Sequence, residues 1–219
     1  MTVQIYYKSP GSKKNSNNLV LFTDEKFNIN PLKKDLSNSE FSYINDLLKN
    51  SDLNKNLFIF ELSSKKNIVL VSIKKNIKIF DIENLGAELY GRINYGKSSE
   101  YFLKSNTIIS KDKNFIGHFL HGFKLKSYEF NKYKSKKNTR FISINVIGNK
   151  NKPSTNDLLR FKALEEGTFY TRDLVSEPGN ILHPDEYAKR LATLKNYGLK
   201  VNIYDNKKLK KLGMNALLG

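Results

Sequence analysis

The chain contains three histidines, and histidine is the residue type here that is most suited to binding a metal or moving a proton. His118 and His121 are three residues apart in a predicted helix and could share one face. A zinc-peptidase helix instead carries two histidines four residues apart, with a glutamate base between them. Since that pattern and a nearby third ligand are missing, we interpret both as structural residues. His183, just before Pro184, is interpreted as a turn or cap residue.

Four carboxylates near the C-terminal quarter, Asp173, Glu177, Asp185 and Glu186, could in principle hold a cation. Their positions at the end of one predicted helix and the start of the next are explained equally well by capping and by the helix dipole. A two-metal hydrolase needs several carboxylates around ions about 3.5–4 Å apart. The residues by themselves therefore support no catalytic, metal-binding or cofactor-binding assignment.

Glycines recur at close spacing in Gly86–Gly91 and Gly117–Gly122. A dinucleotide-binding G-x-G-x-x-G loop follows a strand and opens a helix. Neither segment follows a predicted strand, so we predict no dinucleotide loop here.

The 219 residues carry a formal net charge of +17, which raises the question of nucleic-acid binding. Most of the positive charge comes from dispersed lysines, whereas arginine, the residue suited to bidentate phosphate contacts, is scarce. We therefore expect solvated lysine faces and no nucleic-acid partner. The chain has no cysteine, no apolar run of the roughly 20 residues that span a membrane, and no signal-peptide pattern. We expect a cytoplasmic protein without a membrane partner.

Apolar periodicity predicts alternating strands and helices. The predicted strands are Thr2–Tyr7, Leu19–Thr23, Leu57–Leu62, Ile68–Ile73, Tyr101–Ile109, Arg140–Ile147 and Lys200–Tyr204. The predicted helices are Ser39–Leu48, Asp81–Ile93, Asp112–Leu125, Thr155–Val175, Asp185–Tyr197 and Asn206–Leu212. Ser39 and Asp81 are expected to cap their helices, and Gly179 is expected to end the long helix with a positive φ.

This order predicts an α/β fold with three parts. Residues 1–148 form an α/β domain with a mixed sheet layered with helices, and residues 149–171 form a linker and a long helix. Residues 172–219 begin a second α/β domain that is incomplete. With a strand and two helices but too little partner surface, this last part is expected to be mobile or to dock on another chain.

Three segments carry a resemblance to a known family. Glu166–Pro184 has the sequence EGTFYTRDLVSEPGNILHP, Lys210–Gly219 has KKLGMNALLG, and His121–Lys137 contains SYEFNKYKSKK. The first resembles the helix-to-catalytic-domain junction of leucyl (cytosol) aminopeptidases, typically RDLVNEPxNxLTP. The second resembles their KLGMGALLG, which runs on into VGQGS, and the third resembles GxxxxSYxFDxYKTKK. The departures Ser176, His183 and Asn215 concern local turns and caps.

The resemblance implies a macro-domain-like N-terminal domain joined by the long helix to a metallopeptidase catalytic domain. Members of the family are hexameric two-metal exopeptidases that use zinc, manganese or magnesium. They remove N-terminal residues from peptides, leucine preferred, by attack of a metal-bridging water. Their metal ligands and catalytic residues lie beyond the GMGALLG motif, so none is carried over to this sequence and no metal is expected to bind it.

Two hypotheses follow for the chain. Because the apolar Ala216–Leu218 should pack on further strands, we expect the truncated N-terminal portion of a metallo-aminopeptidase, inactive in proteolysis by itself. The alternative is a non-enzymatic α/β module that binds a nucleotide or nucleic acid, or an assembly subunit that joins full-length copies.

Overall fold

A six-stranded mixed sheet forms the centre of Met1–Phe169, the first of two units in the computed structural model of the chain; the second is Tyr170–Gly219. The structure describes residues 3–8, 18–96, 99–136 and 141–218. The strands are β1 (Val3–Lys8), β2 (Asn18–Asp24), β3 (Leu57–Ser63), β4 (Lys66–Ile73), β5 (Glu100–Lys104) and β6 (Ile142–Ile147). Their order is β1-β6-β5-β2-β4-β3, with β3 antiparallel to β4 and the other neighbours parallel.

The central strands are apolar on both faces because helices cover both sides of the sheet. In β2, Val20 and Phe22 belong to one buried cluster, and Leu19 and Leu21 belong to another. This alternation follows from the two-residue period of a strand, which sends neighbouring side chains to opposite faces. The sheet therefore separates two cores.

The helices of the first unit divide between these cores. The helices α2 (Ile79–Ile93) and α3 (Phe115–Lys126) pack with Val20 and Phe22, whereas α1 (Asn38–Lys49) packs with Leu19 and Leu21. In the α2–α3 core, the Phe22 ring meets those of Phe115 and Phe119 edge-on, with centroids 5.5 and 5.4 Å apart. Such pairs stabilise a core beyond the area they bury.

The long helix α4 (Thr155–Ser176) begins in the first unit and ends in the second. Its start has a reciprocal cap: Ser154 Oγ accepts from the Asp157 backbone N–H at 3.1 Å, and the Asp157 carboxylate accepts from Ser154. The second unit continues with α5 (Pro184–Ala192), the 3-10 helix Thr193–Tyr197 and α6 (Asn206–Lys211). In the described part of the chain, every helix is too short or too polar to cross a bilayer.

The predicted α/β class, with its mixed sheet and layered helices, is confirmed. The strand predictions near Thr2 and Arg140 begin on residues outside the described ones. Two predicted caps are wrong: Ser37, not Ser39, caps α1 through a capping box with Glu40, and Asp81 lies inside the first turn of α2.

Three further predictions differ from the structure. Tyr101–Ile109 is not one strand, because β5 ends at Lys104 and a 3-10 turn follows over Ser105–Thr107. Lys200–Tyr204 is not a strand, since its backbone pairs with no neighbouring strand in the described residues. Gly179 lacks the positive φ that was predicted to end α4, although Gly198 and Gly213 have φ of +81° and +72° just after later helices. The boundaries at residues 148 and 171 remain predictions.

Candidate functional site

Two of the four candidate carboxylates, Glu177 and Glu186, bind the guanidinium of one arginine. Arg190 donates from Nη1 to Glu177 Oε1 at 2.8 Å and from Nε to Glu186 Oε1 at 2.9 Å. The Glu186–Arg190 pair has the i,i+4 spacing of neighbours on one helix face. The Tyr170 hydroxyl donates to the Arg190 backbone carbonyl at 2.9 Å. These contacts tie the end of α4 to α5.

Charge pairing defines the chemistry of this cluster. The hydrogen bonds to Glu177 and Glu186 raise the pKa of Arg190, and the hydrogen bond from Arg190 lowers the pKa of Glu186. The Glu177 side chain is only 1% exposed, and its carboxylate pairs with the Arg190 guanidinium, as a buried charge requires. The pairing of Glu177 and Arg190 was not foreseen from the sequence, because Glu177 follows the end of α4 and Arg190 lies in the next helix, α5.

A two-metal centre does not fit this part of the chain. Two of the four candidate carboxylates, Glu177 and Glu186, are occupied by a guanidinium, which competes with a cation for the same oxygens. Among the described residues no group of three or more histidine, aspartate or glutamate side chains could hold a metal ion. We therefore derive no reaction step through metal ions on these residues.

The histidines of α3 face a glutamate from α2 and a phenylalanine from α4. His121 Nδ1 lies 2.9 Å from Glu83 Oε1, and His118 Nδ1 lies 3.7 Å from the same oxygen. Both imidazole rings contact the Phe161 ring, with centroids 5.1 and 5.2 Å apart. His183 occupies the N-cap position of α5 without a side-chain cap hydrogen bond. The two α3 histidines thus lie at a helix–helix contact.

The closely spaced glycines serve helix packing. A Cβ on Gly86 would lie 1.8 Å from the Phe119 carbonyl oxygen, and a Cβ on Gly122 would lie 1.9 Å from that of Glu83. The backbones of α2 and α3 therefore approach each other where both helices lack a side chain. Neither glycine run begins directly at a strand end, as a phosphate-binding loop would.

A cavity of about 300 Å³, which we call the α3–α4 cavity, lies between β1, α3 and α4 within the first unit. Its apolar lining includes Ile5, Leu120, Leu158 and Phe161, and its polar lining includes Tyr7, His121, Lys124, Lys162 and Glu165. Lys124 Nζ lies 2.8 Å from Glu165 Oε2. Burial, together with the Glu165 charge, raises the pKa of the Tyr7 hydroxyl, which therefore stays protonated at neutral pH.

The polar residues of the α3–α4 cavity were not singled out from the sequence. One signal was available: Leu158, Phe161 and Glu165 lie at helical spacing, which places a carboxylate on an otherwise apolar stripe of α4. Tyr7 and Lys124 carry no such local signal, because the fold alone brings β1 and α3 to that stripe.

A second cavity, of about 400 Å³, lies at the carboxyl ends of β2 and β4 and beside the segment after β5; we call it the strand-end cavity. Its lysines are Lys26, Lys74, Lys75 and Lys111, and its acidic residues are Asp24 and Glu25. The chain leaves β2 toward α1 on one face and leaves β4 toward α2 on the other. Ligands of open α/β sheets commonly bind at such a switch point.

Comparison with known proteins matches both parts of the chain. Residues 169–219 match the family model described as the cytosol aminopeptidase family, catalytic domain. The Probable cytosol aminopeptidase of Dinoroseobacter shibae is 32% identical over 153 residues, which are 69% of this chain and 30% of that protein. That of Rickettsia bellii is 32% identical over 163 residues, 70% of this chain and 32% of that protein. The chain thus spans about a third of the length of these relatives.

Two kinds of solved structure share the fold. A mutant of tomato leucine aminopeptidase superposes with a TM-score of 0.73 at 18% identity, covering 96% of this chain and 46% of that one. The bottromycin maturation enzyme BotP in complex with Mn superposes with a TM-score of 0.62 at 15% identity, covering 91% of this chain and 40% of that one. At these identities the likeness shows the fold.

The motif at the end of α4, the sequence matches and the shared fold define an aminopeptidase-type protein. The chain belongs to the cytosol aminopeptidase family, whose members are also called leucyl aminopeptidases, as the sequence resemblance predicted.

Proposed function

We propose that this chain is the N-terminal portion of a leucyl aminopeptidase that removes N-terminal residues from peptides. The observation that carries the proposal is the match of residues 169–219 to the catalytic-domain model, which begins where the second unit begins. The first unit, with its two cores, then forms the N-terminal domain.

In the proposed enzyme, two divalent ions, manganese or zinc, supply the activated water. The BotP structure that shares this fold contains Mn, which supports manganese as the first ion to test. The carboxylates Glu177 and Glu186 pair with Arg190, so we place the metal ligands on other residues of the enzyme. The chain by itself is proposed to be inactive.

A direct assay tests the proposed inactivity. The purified chain is mixed with leucyl-p-nitroanilide and manganese, and release of p-nitroaniline is followed with and without a chelator. No turnover above the metal-only blank is expected. Turnover that the chelator abolishes contradicts the proposed inactivity.

A chimera tests the family function itself. The chain replaces the matching N-terminal residues of the Dinoroseobacter shibae relative, and hydrolysis of leucyl-p-nitroanilide by the chimera is compared with that by the intact relative. We expect manganese-dependent hydrolysis, because the Glu177–Arg190 junction should orient the remaining catalytic domain. A folded chimera without activity, beside an active relative, contradicts the proposed function.

We also propose cytoplasmic location and homo-oligomeric assembly, a hexamer in the full-length enzyme. Sedimentation of the chain alone and of the chimera measures the assembly. A chimera that sediments only as a monomer contradicts it.

A second candidate function, binding of a phosphate-bearing nucleotide, is favoured by the strand-end cavity. Its lysines lie where ligands of open α/β sheets bind, and lysine pairs with phosphate as a compact point charge. ADP binding that falls steeply with salt and is lost in Lys74→Gln/Lys75→Gln supports this function. Absence of binding at low salt removes it. Lys195→Gln/Lys200→Gln, exposed residues of the second unit, is the charge-matched control.

A further inference from the structure

The α3–α4 cavity is lined by two buried side chains, His121 and Glu165, that can accept further hydrogen bonds. His121 is 7% exposed, and its Nδ1 lies 2.9 Å from the Glu83 carboxylate; because a carboxylate only accepts, we assign the donating N–H to Nδ1. The Nε2 atom is then an acceptor, and no described residue hydrogen-bonds to it. Buried polar atoms are normally paired with protein groups or water, so an unpaired atom beside a cavity indicates a missing partner.

Glu165 is the second acceptor. It is 3% exposed, and Lys124 is the one partner that the described part of the chain provides for its carboxylate. A carboxylate has room for about four hydrogen bonds, and a buried one is costly until its oxygens are satisfied. Glu165 and His121 together therefore favour a group with several N–H donors, such as an ammonium.

The same cavity is also lined by residues that carry hydrogen-bond donors. Lys124 and Lys162 are among the residues that line it, and the Tyr7 hydroxyl stays protonated and can donate a hydrogen bond. Charged and hydroxyl donors in this arrangement suit a carboxylate. The cavity can thus bind both ends of a zwitterion.

The rest of the lining is apolar, with Ile5, Leu120, Leu158 and Phe161 facing the same space. Its volume of about 300 Å³ exceeds the share of one water molecule, about 30 Å³ in the liquid, and falls in the range of small-molecule sites. An aliphatic side chain of a few carbons matches these walls in polarity.

We propose that the α3–α4 cavity binds a free α-amino acid with an aliphatic side chain. The ammonium group meets Glu165 and His121, the carboxylate meets Lys124 and Tyr7, and the side chain lies against Leu120 and Phe161. All these residues belong to the first unit, so the proposal does not depend on the proposed aminopeptidase activity.

Calorimetric titration of the full chain with L-leucine tests the proposal. Saturable binding is expected, whereas isocaproate, which lacks the ammonium, and isoamylamine, which lacks the carboxylate, should bind at least about tenfold more weakly. Absence of saturable binding up to the solubility limit of leucine overturns the proposal. Equal binding of leucine and either analogue also overturns it.

A charge-neutral variant locates the binding. Glu165→Gln keeps the size of the side chain and a hydrogen-bond acceptor for Lys124, but removes the charge that the ammonium needs. Its affinity for leucine should fall at least about tenfold. Glu166→Gln, the same change at the next residue with a side chain 52% exposed, is the matched control and should keep the parent affinity. Parent affinity in Glu165→Gln overturns the proposal.

The imidazole of His121 gives a readout that does not require a variant. Leucine should shift the His121 ring resonances in NMR spectra while those of His183, in the other unit, remain unchanged. Saturable binding without a His121 shift places leucine elsewhere and overturns the proposal. If the circular dichroism spectrum shows that Glu165→Gln does not fold like the parent, the proposal is judged from the binding of the two leucine analogues and from the His121 resonance shift.

Discussion

The first and second units of the chain differ in how much apolar surface each one buries. Met1–Phe169 contains both buried clusters, one on each face of the sheet. In the described part of Tyr170–Gly219, Leu174 is the one apolar residue that is buried, at 9% exposed. Its neighbour Val175 is 82% exposed, and Ile203 is 51% exposed. The first unit therefore has the core that a stable domain requires, and the second does not.

The match to the catalytic-domain family model lies instead in the second unit, which lacks a buried cluster in its described residues. The catalytic-domain match covers residues 169–219, which include the whole of the second unit. Two residues of its motifs lie at helix ends and not in a core: Pro178 follows the end of α4, and Gly213, with φ of +72°, follows α6. A recognisable motif and an independently stable domain are thus separate properties of this chain.

Truncating one apolar side chain in each unit tests the contrast most strongly. Phe22→Ala should lower the free energy of unfolding by about 3–5 kcal/mol, because Phe22 is 1% exposed and packs edge-on against two other rings. Ile203→Ala should change it by less than about 0.5 kcal/mol. Urea unfolding followed by circular dichroism measures both. Similar losses in the two variants contradict the contrast.

The α2–α3 crossing provides the next largest effect. Gly122→Ala should destabilise the first unit by about 1–3 kcal/mol, because its Cβ would lie 1.9 Å from the Glu83 carbonyl oxygen. Gly91→Ala, on the same pair of helices but with nothing within 4 Å, should stabilise by up to about 1 kcal/mol. Thermal melting compares the two. If Gly122→Ala leaves the melting temperature unchanged, α2 and α3 can move apart to accommodate the added methyl group without loss of stability.

In the second unit, the Arg190 cluster replaces a core as the tie between helices. Arg190→Met leaves the buried Glu177 carboxylate without its guanidinium, so α5 should lose protection from limited proteolysis while the first unit stays intact. Adding Glu177→Gln should restore part of the protection. Lys189→Met, an exposed neighbour, is the control. Unchanged cleavage in Arg190→Met would show that the cluster does not hold α5.

The α1 cap should show the smallest effect, and one that depends on pH. Burial alone would raise the pKa of Glu40, but hydrogen bonds from Lys66 and Ser37 offset it and lower the pKa below its ordinary value. Its stabilising contribution is full above the unfolded-state pKa and disappears as the pH falls through the lower folded-state pKa.

Glu40→Gln should therefore destabilise the chain at neutral pH, with a difference from the parent that shrinks in acid. Ser37→Ala should cost about 1 kcal/mol. Urea unfolding at several pH values measures both, and Glu61→Gln on an exposed strand position is the control. A difference that grows in acid contradicts the assigned direction.

Much of the first unit could be predicted from the sequence because its patterns are local. The apolar spacing in β2 and in α2 predicts which of their side chains are buried. The cap of α1 was misplaced by two residues, because Ser37 and Ser39 are chemically equivalent and only the reach of Glu40 to the Ser37 backbone distinguishes them.

The sites were less predictable because their partners are distant in sequence. Glu83 and His121 meet where α2 and α3 cross. Tyr7 and Glu165 line the same cavity, although they lie near opposite ends of the first unit's sequence. Lys200–Tyr204 has strand-like residues, but a strand forms only where a neighbour supplies backbone hydrogen bonds. Local preference cannot state whether that neighbour exists.

Hydrogen exchange across the whole chain tests the central claim, that the first unit is a self-sufficient domain and the second carries the family signature without a core. In a monomeric sample, amides of β2 and β4 should be strongly protected, and those of residues 177–218 should exchange faster than these. Uniformly strong protection throughout Tyr170–Gly219 would contradict the account.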